Sequence, residues 1–266
     1  MKPSRTPKHQ KNTVQPVSGD KMFFISAPFG NYIHHKNAIS VHGTFTLRPQ
    51  GNRFWAVLKT LRPTRDGWTN RLGLPNPGIY HGITKITEDN VISIAEVNRN
   101  EFQKMNKIIP KTASLELNLS CPNTKYLPWD HIRQFPNKER KWCIAKMSPL
   151  STPEEIEYVL NQGFRQLHFS NTLPMTHLDR FSNAGGLSGK TLIPYTKRLI
   201  DIVRTDFRSY KGIEIIAGGG VTSEHHIHEY LQEGANHISI GSGWFRPFKT
   251  RKLLNQTNYE NKKIQI

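Results

Sequence analysis

Cysteine is nearly absent: the chain holds only Cys121 and Cys143 in 266 residues. That excludes a disulfide scaffold and a multi-cysteine zinc site, and a reducing, cytoplasmic setting is expected. Acidic residues are also scarce, with 20 Asp and Glu against 37 Lys and Arg and a formal charge of +17. No apolar run approaches the ~20 residues of a transmembrane helix, so no membrane span is expected. Residues 1–21, MKPSRTPKHQKNTVQPVSGDK, have no apolar stretch either. They are not a secretory signal, and they read as a disordered basic tail.

The positive charge would attract a polyanion, and part of it sits in the tail and in residues 246–263. No zinc finger, RNA-recognition signature or basic zipper directs it to nucleic acid, which stays open but not favoured as a partner.

From residue 22 onward, β-branched and apolar runs alternate with helical patterns. Eight runs are expected as strands: 22–28, 38–46, 91–97, 114–122, 141–149, 166–171, 214–220 and 237–243. Most are almost continuously apolar, as strands buried on both faces of a parallel sheet must be. Helices are expected over Asn100–Ile109, Pro153–Gln162, Pro194–Phe207 and Ser223–Glu233. Ser151-Thr152 before Pro153 and Ser223 supply N-caps, and Gly234 supplies a stop. Eight strands with interleaved helices in one uninterrupted unit indicate an α/β fold, a (β/α)8 barrel spanning 22–266 as a single domain. The Pro/Gly-rich segment 47–90 reads as an elaborated loop with a small hairpin after the second strand.

In such a barrel, chemistry belongs at the C-terminal ends of the strands. Those ends are small, polar and amide-rich, without metal-ligand spacing or the carboxylate pair of a glycosidase. AGGGV and ISIGSG close the last two strands. Their bare N–H groups suit a phosphate. NLSCPNT places Cys121 on a loop between Asn118 and Asn123, as a candidate acid/base or nucleophile. Cys143, inside a strand, reads as a small buried hydrophobe. Lys146 ends the fifth strand, where a lysine needs an anion or an electron-rich ring.

Together these residues resemble the dihydroorotate dehydrogenase family of flavin-dependent barrels. GTFTLRPQGNR (43–53), TNRLGLPNPG (69–78), LNLSCPNT (117–124), IAKMSP (144–149), SNT (170–172), GGLSGK (185–190), IIAGGGV (215–221) and ISIGSG (238–243) follow in the family's order. The resemblance implies FMN across the barrel mouth. Its phosphate would rest on Gly219, Gly220, Gly241 and Ser242, with Gly189 nearby. Ala27, Thr44, Asn118 and Ser170 would line the cofactor, and Lys146 would face the N1/O2 edge of the flavin. Asn70, Arg71, Leu72, Gly73, Leu74, Asn118, Asn123, Asn171 and Thr172 would form the site of the pyrimidine. Cys121 matches the general base of the cytosolic branch, taking the C5 proton of dihydroorotate while a hydride leaves C6. The resemblance also implies a homodimer.

Two departures accompany it. Asn31 stands where the family's first strand is expected to bring a lysine to flavin and substrate, so a changed substrate or an impaired, flavin-binding homologue is an alternative. Lys36, His34, His35 or Arg71 could supply the missing cation. The family's apolar membrane-docking helices have no counterpart in the basic tail, so quinone is not the expected acceptor. Nor is there a ferredoxin-like cysteine cluster, so transfer to NAD would need a partner subunit. A second alternative is a related FMN barrel acting on a pyrimidine in RNA, as dihydrouridine synthases do.

Overall fold

The eight apolar runs close into a barrel. The computed structural model describes residues 22–51, 60–65, 67–71, 73–119, 131–175 and 185–263. The tail 1–21 lies outside the described residues. The barrel strands are β1 (Phe23–Ile25), β2 (Ala38–Phe45), β5 (Asn90–Ile94), β6 (Leu115–Asn118), β7 (Cys143–Lys146), β8 (Gln166–Phe169), β11 (Glu214–Ala217) and β12 (His237–Ile240). They pair in parallel in that order, and β12 returns to β1.

The strands are one to five residues shorter than the apolar runs, because each run continues past the last ladder bond into the loop that shapes the mouth. Strand alternation sorts the side chains into two cores. Phe24, Ile39, Val41, Val91, Trp142, Ile144 and Ile216 pack inside the barrel. Outside it, Ile25, Ile92, Leu115, Leu117 and Ala145 pack on Phe102, Ile156, Leu199 and Ile227 of the helices. Each fully buried aliphatic side chain contributes roughly 1.5–3 kcal/mol.

The helices are α1 (Ile79–Ile83), α2 (Glu101–Ile108), α3 (Pro153–Asn161), α4 (Ile193–Asp206), α5 (Glu224–Glu233) and α6 (Pro247–Lys263). At α3, Thr152 is the cap. Its hydroxyl accepts the Glu155 N–H at 3.3 Å, and the Glu155 carboxylate accepts the Thr152 N–H at 3.2 Å. Such a box is worth about 1 kcal/mol. Ser223 takes the N-cap position of α5 in extended backbone, but its hydroxyl turns to His226 Nδ1 at 3.2 Å instead of a backbone N–H. Gly234 ends α5 at a φ of 113°, as its stop signal requires. α4 starts one residue before the expected Pro194, because a 3₁₀ turn over Lys190–Leu192 feeds it.

The hairpin expected within 47–90 is β3 (Arg62–Thr64) and β4 (Gly67–Asn70). It does not stand alone. β9 (Leu173–Pro174) and β10 (Gly186–Ser188), from the loop after β8, extend it into a four-stranded antiparallel sheet. This second sheet stands at the mouth of the barrel. Between β1 and β2 the chain makes only a 3₁₀ turn, Phe29–Asn31. Among the described residues, no helix is long and apolar enough to cross a membrane.

Candidate active site

The strand ends and the second sheet enclose a cavity of about 480 Å³, a usual size for a small-molecule site. Ala27, Thr44, Asn118, Lys146, Ser170, Asn171, Thr172, Gly219, Gly220, Gly241 and Ser242 line it from the barrel side. Asn70, Arg71, Gly73 and Leu74 line it from the β4 side. Leu72, Cys121 and Asn123 lie outside the described residues. Gly189 is not in the wall. It stands behind Gly220, where an added Cβ would lie 3.0 Å from the Gly189 carbonyl oxygen.

One side of the cavity is built for an anion. Gly219 and Gly220 adopt φ values of 88° and 72°, and a Cβ on Gly219 would lie 2.7 Å from Leu192 Cβ. Only glycine takes this conformation without strain, and only glycine leaves room for it. Among the described residues, the N–H groups of Gly219, Gly220, Gly241 and Ser242 meet no backbone carbonyl. The Tyr230 hydroxyl donates to the Gly219 carbonyl at 2.6 Å from behind and fixes the turn. Four unspent N–H groups on the last two strands form a concave donor set for a phosphate.

The opposite side is built for a flat polar ring. Asn171 Nδ2 donates to Asn118 Oδ1 at 2.9 Å, and Asn171 Oδ1 accepts the Thr172 N–H at 2.9 Å. β10 pairs with β4 so that Gly186 faces Asn70, which carries Asn70 and Arg71 to the rim above Thr172. Arg71 is exposed there.

Beneath this surface lies a network that reading the strand ends alone misses. Lys146 Nζ stands 3.6 Å from Glu116 Oε1, with 8% and 1% of the two side chains exposed. Ser93 Oγ donates to the same oxygen at 3.0 Å, and Thr44 Oγ1 lies 3.0 Å from Ser93 Oγ. His168 Nδ1 lies 2.7 Å from Glu116 Oε2. Burial by itself would raise the Glu116 carboxyl; Lys146 and His168 outweigh it and hold the group at about 2. Burial, then the Lys146 charge, lowers His168. The imidazole is therefore neutral near pH 7, and its Nδ1–H donates to Glu116. The barrel makes the spacing meaningful. Glu116 precedes Asn118 by two residues and His168 precedes Ser170 by two, so each points into the barrel one layer below a mouth residue.

An aromatic wall was also missed. Trp68 packs on Phe245 at 4.1 Å and 31°, and Phe29 meets Phe245 edge-on at 5.1 Å. These rings come from three distant segments, so no local period announces them.

Asn31 does not reach the cavity. Its Nδ2 donates to the Pro28 and Gly43 carbonyls at 2.9 and 2.8 Å, and its Oδ1 accepts the Gly43 N–H at 3.0 Å. It lines instead a separate groove of about 1610 Å³ that runs along β2, with Lys36, His34 and His35. Neither Lys36 nor either histidine lines the cavity at the mouth, so none of the three replaces the missing lysine there. Cys143 is buried, and burial pushes its thiol up to about 12, which makes it inert. Among the described residues, no group of three or more His, Cys, Asp or Glu could hold a metal ion.

The sequence profile described as dihydroorotate dehydrogenase matches residues 33–257. The chain belongs to the dihydroorotate dehydrogenase family. A curated relative, the catalytic subunit of dihydroorotate dehydrogenase B (NAD(+)) of Thermotoga petrophila, is 29% identical over 198 residues, covering 66% of this chain and 72% of that protein. The protein of the same name from Staphylococcus carnosus is 27% identical, covering 92% of this chain and 88% of its own. The crystal structure of the Eimeria tenella dihydroorotate dehydrogenase with ferulenol has the same fold, with a TM-score of 0.67 at 18% identity over 91% of this chain and 82% of that one.

Members of this family are FMN-dependent oxidoreductases. The cavity fits that cofactor. The unspent N–H groups match a phosphate, the space beside them admits a flat ring, and Lys146 presents a cation from the floor.

Proposed function

We propose that this chain oxidises dihydroorotate to orotate with FMN held across the barrel mouth. What carries the reading is the cavity itself: an N–H cradle on β11 and β12 faces an amide pair on β6 and β8, with a lysine between them. Gly219, Gly220, Gly241 and Ser242 would hold the phosphate. Ala27, Thr44, Ser170 and Asn118 would flank the ring system, and Lys146 would face its N1/O2 edge. When bound, FMN supplies the hydride acceptor.

The chain's own residues do the rest. Asn70, Asn118, Asn123, Asn171 and Thr172 orient the planar imide of the substrate, whose donors and acceptors amides match in pairs. Gly73 and Leu74 line the rim of that site, and Leu72 is assigned to the substrate with them. Cys121 removes the C5 proton. That proton is weakly acidic, so the base must be held at contact distance while the ring is fixed. Lys146 would offer its head group to the pyrimidine-like edge of the cofactor and favour negative charge there. Arg71 receives the substrate carboxylate, because it and Lys146 are the cations lining the cavity among the described residues.

The relatives named as NAD(+)-type catalytic subunits support a division of labour, in which electrons leave this chain for a partner subunit. Anaerobic addition of dihydroorotate to the FMN-loaded protein tests the reading. The flavin absorbance should bleach, and Cys121→Ala should slow bleaching by about 10²–10⁴-fold. A yellow protein that dihydroorotate leaves unchanged sinks it.

A further inference from the structure

The buried network under the mouth is larger than a cofactor contact requires. Thr44, Ser93, Glu116, Lys146 and His168 belong to β2, β5, β6, β7 and β8, which are consecutive neighbours around the barrel. The register puts Ser93 opposite Glu116, and Lys146 opposite both Asn118 and His168. Glu116 is the hub. Its Oε1 takes Ser93 at 3.0 Å and lies 3.6 Å from Lys146 Nζ, and its Oε2 takes His168 at 2.7 Å. The carboxylate is therefore held independently of the lysine at both oxygens, by Ser93 at Oε1 and by His168 at Oε2.

A lysine head group this deeply placed needs a fixed anion beside it. Among the described residues, two groups face it with charge or a titratable proton: the Glu116 carboxylate from β6 and the His168 imidazole from β8, which is neutral. The anion that can hold it is Glu116. We propose that Glu116 is a positioning residue: clamped by Ser93 and His168, it pairs with Lys146 and holds its head group in place at the floor of the mouth, ready for the electron-rich edge of the cofactor. This rests on the flavin reading above for the ligand, but not for the ion pair.

Glu116→Gln is the informative change. The amide keeps the shape of the carboxylate. Its oxygen still accepts from Ser93, and its nitrogen donates to His168 Nδ1 in the other tautomer, so only the charge is lost. The first arm uses the flavin-free full chain. Lys146 acetylation by acetic anhydride at pH 8, followed by mass spectrometry, should be at least tenfold faster in the variant. Maleimide labelling of Cys143, buried on the same strand, should not change, which separates loss of charge from loosening of the barrel.

The second arm uses FMN-loaded protein at pH 9. Glu116→Gln and Lys146→Met should each shift the reduction equilibrium about tenfold toward the oxidised flavin, which is about 30 mV for a two-electron couple. The double variant should shift no further, because Glu116 acts through the lysine. Unchanged Lys146 acetylation in Glu116→Gln overturns the proposal whatever the flavin does. Faster acetylation with an unmoved flavin potential overturns the link to the cofactor. If the wild-type chain takes up no FMN, the flavin reading falls, while the acetylation arm still decides the ion pair.

Discussion

Asn118 and Asn171 are locked to each other across two strands of the mouth: the Asn171 amide donates to the Asn118 oxygen at 2.9 Å, although the residues are 53 apart in sequence. The bond fixes the sense of both amides, with Asn171 Oδ1 taking the Thr172 N–H. A ring placed between them meets a preset pattern of donors and acceptors, and no amide has to reorient. Asn171→Ala leaves one buried partner unpaired, at a cost of about 1–3 kcal/mol. The expected result is a roughly tenfold to hundredfold loss in kcat/KM for dihydroorotate with FMN affinity retained. Steady-state kinetics beside a flavin titration check both. The double variant with Asn118→Ala should be clearly less than additive, because the two side chains share one interaction.

At Gly219 the proposed role belongs to the backbone. With a φ of 88° and Leu192 Cβ 2.7 Å from where a Cβ would stand, Gly219→Ala strains the turn and closes the cradle together. It should lower FMN affinity at least tenfold and the melting temperature by several degrees. Riboflavin, which has no phosphate to place, should lose much less. Flavin fluorescence titrations with both compounds measure the difference. Equal losses for the two would remove the phosphate from this site.

The barrel was legible because its physics is local. A parallel strand buried on both faces has to be a nearly continuous apolar run, and the runs beginning at residues 22, 38 and 237 announce themselves by that alone. The glycine ends of β11 and β12 were legible for the same reason, since a close backbone approach needs glycine wherever it occurs. What stayed hidden depends on pairing between distant segments. β9 is two residues long and β10 three, and they exist because β4 offers them an edge. Lys146 raised the question of a partner, but Glu116 sits in an apolar strand where a charge is readable only once the barrel shows which face is inside. The same holds for Asn31: in sequence it occupies the place of a missing cation, whereas in space its amide is bound to the backbone of β2.

Acid should weaken the fold through the buried network. Glu116 is held at about 2, below its ordinary value, so its contribution is complete above about pH 4.5 and disappears as the pH falls toward 2. His168 is also lowered, by burial first. An unfolded histidine gains a proton below about 6.5 where the folded one does not, so its part of the stability begins to fall there. The melting temperature should decline from pH 6.5 downward and more steeply below pH 4.5. Glu116→Gln should flatten the lower segment, worth about 3 kcal/mol at most, and His168→Gln the upper one. Thermal denaturation of the flavin-free chain between pH 7 and pH 3 reads both slopes. A profile identical in all three proteins would mean that the network does not couple protons to folding.

The role proposed for Arg71 is to recognise the substrate as an anion. It lines the rim beside Gly73 and Leu74 and is exposed, whereas Lys146 is buried and paired with Glu116. An exposed guanidinium contributes modestly, about 1 kcal/mol or a little more, but its planar fork suits a carboxylate. Arg71→Gln should raise KM for dihydroorotate about tenfold and leave kcat nearly unchanged, as removal of uniform binding does. Dihydrouracil has the same ring without the carboxylate, and for it the substitution should change little. The preference for dihydroorotate over dihydrouracil should therefore shrink by the same factor as KM rises. A wild-type enzyme that turns over both compounds equally well would instead make the carboxylate irrelevant, and the substrate would be a pyrimidine without one.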